Sequence, residues 1–331
     1  MLNVKRNMVI TIILGFLFLN TLLISASFLK CKFCEKDING RYITQNKAAY
    51  HEQCYKNHVQ LRCDHCEKAI NGKYNIKEEE NYHQQCYRNF ILDKCDVCLK
   101  PIESEYVKDI WGNIYHNHHR SSMPLCESCN RLISNNITEG GYLFNNNRSI
   151  CNICWEYVIN DKEDIQNIYY ELRRELMEFG VNNIPKKIPV ILIDSKEELY
   201  KISNIPSADG LQGYTKYDYQ TIGRKKINEN FTIYILSNLH LVNFRAVLAH
   251  EMFHVYLFNN DISLRKSLVE GFCNLGSKYV YDSSPYSEIS ELKLESMFKN
   301  NHPKYGRGFR IMNAELERDG WSVLLKNLEN Y

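Results

Sequence analysis

His250-Glu251-Met252-Phe253-His254, inside the stretch "VLAHEMFHVYL", sets two imidazoles four residues apart with a carboxylate beside the first. On a helix that interval is one turn, so both rings point to the same side and can share a metal ion. Glu251 then stands where its carboxylate reaches an attacking water without being a ligand, which is the general-base position. The flanking Val247, Leu248, Phe253, Val255 and Leu257 read as a buried helix, where unpaired imidazoles would be costly. A catalytic metal needs three protein ligands and an open position. "SLVEGFC" supplies Glu270, sixteen residues after His254, the interval expected when a second helix folds back antiparallel over the first. Cys273, one turn beyond Glu270, reads as a buried apolar thiol rather than a nucleophile. Tyr214, Tyr234, His240 and Tyr305 are available as helpers for a developing oxyanion.

A second, different use of metal ligands fills the first half of the chain. Cys31 and Cys34 are followed by His51 and Cys54; Cys63 and Cys66 by His83 and Cys86; Cys95 and Cys98 by His116 and His119; Cys126 and Cys129 by Cys151 and Cys154. The leading cysteines stand at 31, 63, 95 and 126, a period of about 32 residues, so this is one supersecondary unit repeated four times. A C-x-x-C turn places two thiolates on one metal, and a second pair 16 to 21 residues later completes a tetrahedron. Disulfides would not explain His at a ligand position in three copies, because imidazole cannot crosslink but binds zinc well. The spacing therefore predicts about four structural zinc ions besides the one at His250, His254 and Glu270.

The elements that must position these groups follow from local patterns. Asn39-Gly40 and Asn71-Gly72 predict tight hairpin turns, so each repeat is expected to be small β-hairpins on a zinc. Tyr50, Tyr82 and Tyr115, each just before the third ligand, form the miniature core of such a module, which needs the metal to fold. After Cys154 the pattern turns helical, with Ile165, Ile168, Tyr169, Leu172, Leu176 and Phe179 on one face and Gly180 placed to end it. "IPVILID", residues 188–194, predicts a buried strand. Ser195 with Glu198 predicts a capping box for the next helix, and residues 232–236 predict a second strand. Helices dominate from Val242. The fold class is thus α+β: an array of zinc-bound hairpin modules at 31–157, then a mainly helical domain with a small sheet at 161–331.

Lys5 and Arg6 precede an apolar run from Met8 to Ile24 and small residues at 25–27, so residues 1–27 predict either a cleaved signal peptide or a retained membrane anchor, with the rest of the chain exported. Apart from that segment nothing calls for a membrane. In 331 residues, 41 basic and 39 acidic groups leave a net charge of +2, and no basic stripe with interleaved aromatics suggests nucleic acid.

The paired ligands resemble the half-modules of LIM domains, although about eight residues intervene after Cys54 and Cys86 where an ordinary LIM domain has two. "YHQQCYRNFILDKCDVCLKPI", "VLAHEMFHVYL", "LVEGFCNLGSKYV" and "KYGRGFR", in the same order and at consistent distances, resemble the DA-one family of LIM-containing, ubiquitin-activated zinc peptidases, from about Cys63 to the C-terminus. The resemblance implies a zincin-like metallopeptidase domain with zinc on His250, His254 and Glu270 and with Glu251 as catalytic base. It also places "GLQGYT", from Gly210 to Thr215, in the family's domain, with no role assigned. The plant enzymes carry ubiquitin-interacting helices before their LIM region where this chain has an apolar segment, so ubiquitin activation is not carried over. The expected function is cleavage of protein substrates, with the LIM-like modules either recruiting a protein partner or serving as a rigid spacer. The alternative is a zinc-stapled interaction scaffold without activity, against which the intact Glu251 counts.

Overall fold

The computed structural model describes residues 3–5, 11–12, 29–144, 148–204, 210–223 and 225–331. The expected leader lies outside them apart from two short strands, β1 (Asn3–Lys5) and β2 (Thr11–Ile12). Among the described residues no helix is long and apolar enough to cross a membrane. The chain divides into two compact units, Met1–Ser122 and Met123–Tyr331.

The first unit repeats one motif three times. β3 (Tyr42–Gln45) pairs with β4 (Ala48–His51), β5 (Tyr74–Lys77) with β6 (Glu80–His83), and β7 (Tyr106–Lys108) with β8 (Ile114–His116), all antiparallel. β2 and β1 add to the outer edges of β5 and β7. Each hairpin delivers its His at the end of its second strand, where a short helical turn begins and supplies the fourth ligand. The hairpin turns are not the Asn-Gly pairs expected. Gly40 and Gly72 bend the chain ahead of the hairpins, with φ 110° and 106°, while the reversals fall on Asn46-Lys47 and Glu78-Glu79. Both residues of each pair have positive φ, the backbone that matches the twist of a two-residue hairpin. In the second repeat Cys63, Ile70, Tyr74, Tyr82, Tyr87 and Leu92 make a core of six buried residues, too few to hold a fold without a further crosslink.

The second unit opens with the fourth repeat, whose hairpin pairs β9 (Gly141–Leu143) with β10 (Ser149–Cys151). The sequence grouped this repeat with the other three and started a new domain near 161; the contacts instead place it with everything C-terminal to it. β11 (Val158–Ile159) pairs antiparallel with β15 (Leu239–His240), and the backbone N–H of Leu241 donates to the carbonyl of Tyr157 at 2.8 Å.

A mixed sheet has the order β12-β14-β13: β12 (Val190–Ile193) runs parallel to β14 (Lys225–Leu236), and β13 (Gly213–Ile222) runs antiparallel to it. Ile233 and Ile235 of the central strand are fully buried, whereas Ile191 on β12 is 42 % exposed, so the strand expected to be buried is a half-covered edge. Helix α1 (Lys162–Glu178) begins at Asp161, whose side chain accepts from the backbone N–H groups of Glu163 and Asp164, and it buries Ile165, Ile168, Tyr169, Leu172 and Leu176. Ser195 caps α2 (Lys196–Ser203) by accepting from the N–H of Glu198 at 3.1 Å.

Helix α3 (Leu241–Asn259) is buried around most of its circumference, as expected for a helix apolar on all sides. α4 (Lys266–Ser283) returns along it antiparallel. Ser277 Oγ donates to the carbonyl of Ala246, His250 faces Asn274, and His254 faces Glu270. Gly276 permits this approach, because a Cβ there would lie 2.8 Å from Phe253 Cδ2 and 2.9 Å from the carbonyl oxygen of Ala249. α5 (Ser287–Lys299), a wide helical turn at Pro303–Gly308 and α6 (Phe309–Lys326) complete the unit.

Candidate metal centres

The four Cys/His sets expected from spacing each come together, and so do His250 and His254 with Cys273. Bonds of roughly 2.0–2.3 Å at a tetrahedral angle put neighbouring ligand atoms about 3.3–3.8 Å apart. Cys34 Sγ and Cys66 Sγ stand 3.3 Å from Nδ1 of His51 and His83, Cys98 Sγ stands 3.5 Å from Nδ1 of His116, and Cys129 Sγ is 3.7 Å from Cys151 Sγ. With Cys54 Sγ 3.8 Å from His51 Nδ1 and Cys86 Sγ 4.0 Å from His83 Nδ1, these separations are near those of ligands that share one ion.

The surroundings of the imidazoles agree. Nε2 of His51, His83 and His116 lies 3.1, 3.1 and 3.2 Å from the carbonyl oxygens of Asp37, Ala69 and Pro101. A carbonyl can only accept, so Nε2 carries the proton and Nδ1 presents its lone pair to the cysteines, the outer-shell arrangement that orients a metal-binding His. In the third set His119 Nε2 is buried with no hydrogen-bond partner among the described residues, an orphan that coordination would satisfy.

Each C-x-x-C turn is followed by a residue of positive φ: Glu35, Glu67, Leu99 and Asn130, at 58° to 62°. In each case that residue's N–H donates to the carbonyl of the leading cysteine at 2.7 or 2.8 Å. Glu, Leu and Asn alike hold this backbone, which points to one constraint shared by the four turns. The thiols respond in kind. Burial pushes Cys31 and Cys63 up, but backbone N–H groups, including those of His51 and His83, hold both at about 6. Burial and the crowding of neighbouring thiols push Cys54 and Cys86 up to about 11. A cation among such crowded thiols would favour their ionised forms.

The fourth set differs: all four of its cysteines are buried. Mutual hydrogen bonding pulls Cys126 down and pushes Cys151 and Cys154 up. Charged groups tie it to the rest of the unit. Arg148, 2 % exposed, donates through Nε and Nη2 to both carboxylate oxygens of Glu127 and through Nη2 to the carbonyl of Ser237. Lys293 on α5 donates to the carbonyl of Glu127 at 2.8 Å, and burial lowers its pKa although Glu127 and the thiolates oppose the shift.

The remaining group lies between α3 and α4. Glu270 Oε2 is 3.2 Å from Nε2 of His250 and 3.7 Å from Nε2 of His254, again within the span of ligands on one ion. The three side chains are 22 %, 15 % and 16 % exposed, so solvent reaches them without flooding them. His250 is oriented from behind by Asn274, whose Oδ1 is 3.0 Å from Nδ1, while Asn274 Nδ2 donates to the carbonyl of Tyr305. Burial opposes ionisation of Glu270, but hydrogen bonds and charge from His250 and His254 outweigh it and hold its carboxyl well below the usual range. Burial likewise works against a charged His250, and Glu270, Glu251 and Asn274 more than offset it, so its pKa is raised. Cys273, fully buried, has its thiol pushed well up by burial first and then by Glu270 and Glu251. The sequence read it as packing alone; the fold sets its sulfur beside the two imidazoles.

Glu251 is 4 % exposed and is met by Gly213 and Thr215 of β13, two residues with no role assigned from their sequence context. Tyr305 lies close enough for Glu270 and Glu251 to add to the effect of burial, and its hydroxyl is pushed up to about 12. His240 is not available as an oxyanion helper. It is 1 % exposed and caps α3, its Nδ1 accepting from the N–H of Val242, and burial lowers its pKa to about 4. Compared with protein-family models and with curated proteins, the chain matches none.

Proposed function

We propose that the chain is a zinc-dependent endopeptidase with one open metal site on His250, His254 and Glu270, on a scaffold of four closed zinc sites. The observation that carries this reading is the placement of Glu270 Oε2 at 3.2 and 3.7 Å from the two imidazoles, with buried Glu251 on the imidazoles' helix and in no ion pair among the described residues. Zinc held there supplies Lewis acidity and lowers the pKa of a water. Glu251 takes the proton of the attacking water and passes it to the leaving amine. Tyr305, kept protonated near the two carboxylates, is suited to donate to the developing oxyanion. The small mixed sheet beside α3 fits a zincin-like domain, and the hairpin modules fit recruitment of a protein partner. Residues 1–27 remain proposed as an export signal or anchor, which sequencing of the mature N-terminus decides.

The test is paired. Glu251→Gln is expected to keep about five zinc ions, by the ligand counting above, while cleavage of unstructured casein is abolished. Equal cleavage by both proteins overturns the mechanism, and a metal count near one overturns the closed sites.

A further inference from the structure

A buried carboxylate needs hydrogen bonds, and a catalytic one must also be held in a single pose. Among the described residues, the Glu251 carboxylate has one such bond from outside its own helix. The hydroxyl of Thr215, itself 6 % exposed, lies 2.7 Å from Glu251 Oε2 and 3.1 Å from the backbone oxygen of Glu251. A threonine hydroxyl has one proton to give, and a carboxylate oxygen is the stronger acceptor, so the shorter contact is the charge-assisted bond. Among the described residues nothing hydrogen-bonds to Oε1.

Two residues earlier on the same strand, Gly213 removes an obstacle. A Cβ at that position would lie 2.6 Å from Glu251 Oε1, 3.0 Å from its Cγ and 2.6 Å from Val247 Cγ1. Residues 213 and 215 share one face of β13, and both are buried while Tyr214 between them is not fully so. Val247 and Glu251 are one turn apart on α3, so the strand face and the helix face meet at these four residues. The strand is fixed in turn: Gly213 pairs with Ile235 and Thr215 with Ile233 of the fully buried central strand. The support is a ladder rather than a loop, which suits a group whose orientation matters.

We infer that Gly213 and Thr215 form a clamp that positions the general base, Thr215 holding Oε2 so that Oε1 is the oxygen that takes the proton. Thr215 is a positioning residue acting through Glu251. The inference rests on the peptidase reading and adds to it the reason for "GLQGYT" at this distance from the helix motif.

The test uses the full chain, casein as probe, and kcat, KM and bound zinc measured together for Thr215→Val, Thr215→Ala, Thr215→Ser and Glu251→Gln. The Val and Ala variants are expected to lose about tenfold to a hundredfold in kcat with KM changed by less than about twofold, since only the pose of the base has changed. Thr215→Ser restores the hydroxyl and is expected within about threefold of the wild-type kcat, with zinc unchanged in all four. Wild-type kcat in the Val and Ala variants, beside an inactive Glu251→Gln, overturns the clamp and leaves the peptidase standing. A Ser variant as impaired as Val assigns Thr215 to packing and also overturns it. If wild type and Glu251→Gln cleave equally, the peptidase reading fails and the clamp falls with it.

Discussion

The second and fourth repeats share the C-x-x-C turn and a second pair of ligands further along the chain, yet they are built into the molecule in opposite ways. In the second, only Cys63 is buried, and the other three ligands are partly exposed on a hairpin with its own small core. In the fourth, all four cysteines are buried, and the support comes from distant parts of the chain: Arg148 reaches Ser237, and Lys293 reaches Glu127. Ser237 lies three residues before His240, the cap of the helix that carries His250 and His254. One motif thus serves as a self-contained staple in one place and as a keystone of the C-terminal unit in another.

The strongest way to break that contrast is to remove a ligand from each. Cys63→Ser should cost one zinc and unfold its own hairpin, leaving the fragment from Met123 onward as resistant to protease as before. Cys126→Ser should expose the whole C-terminal unit to protease, because loss of the ion strands Lys293 beside thiols that no longer share a charge. Removing one member of a buried charged set costs about 3–5 kcal/mol, a large share of a domain's stability. Limited proteolysis with zinc counting reads both. Equal sensitivity in the two variants would erase the distinction.

A smaller effect separates the open site from the closed ones. His51, His83 and His116 are oriented by backbone carbonyls, which no substitution removes, whereas His250 is oriented by the side chain of Asn274. Asn274→Ala is expected to weaken zinc at His250, His254 and Glu270 by about 10–100-fold, the usual effect of losing an outer-shell partner. Under a chelator titration the fifth zinc should leave early while four stay bound. Unchanged release would mean that Asn274 does not orient the imidazole.

Much of this was legible in the sequence. Ligand spacing identified all four Cys/His sets, and the apolar faces together with Gly180 and Ser195 placed α1 and α2, because those signals are local. The setting of the fourth repeat was not legible: Arg148, Glu127 and Lys293 look like surface charges until the fold buries Arg148 and brings both cations onto Glu127. β13 was missed for a related reason. In "GYTKYDYQTI" most of the outer part of the strand is exposed, so no buried apolar face marks it, and the residues that meet the helix are Gly213 and Thr215 at its start and Tyr217, which stacks on Phe258. His240 was read for its chemistry when its place at a helix start decided its role.

The hairpin turns give the finest test of the self-contained modules. Glu78 and Glu79 hold φ of 52° and 73°, a region that costs an L-residue roughly 1–2 kcal/mol and glycine almost nothing. Glu79 is exposed, so Glu79→Gly removes strain without removing a packed side chain. Part of the gain is returned, because glycine also frees the unfolded chain, leaving a net stabilisation of about 0.5–1 kcal/mol. If the second repeat folds as its own unit, that gain should appear there alone, as zinc release from Cys63, Cys66, His83 and Cys86 slowed by about two- to fivefold, with release from the fourth repeat unchanged. Slowing at both sites would show that the two repeats share one unfolding step, and the contrast between staple and keystone would have to be given up.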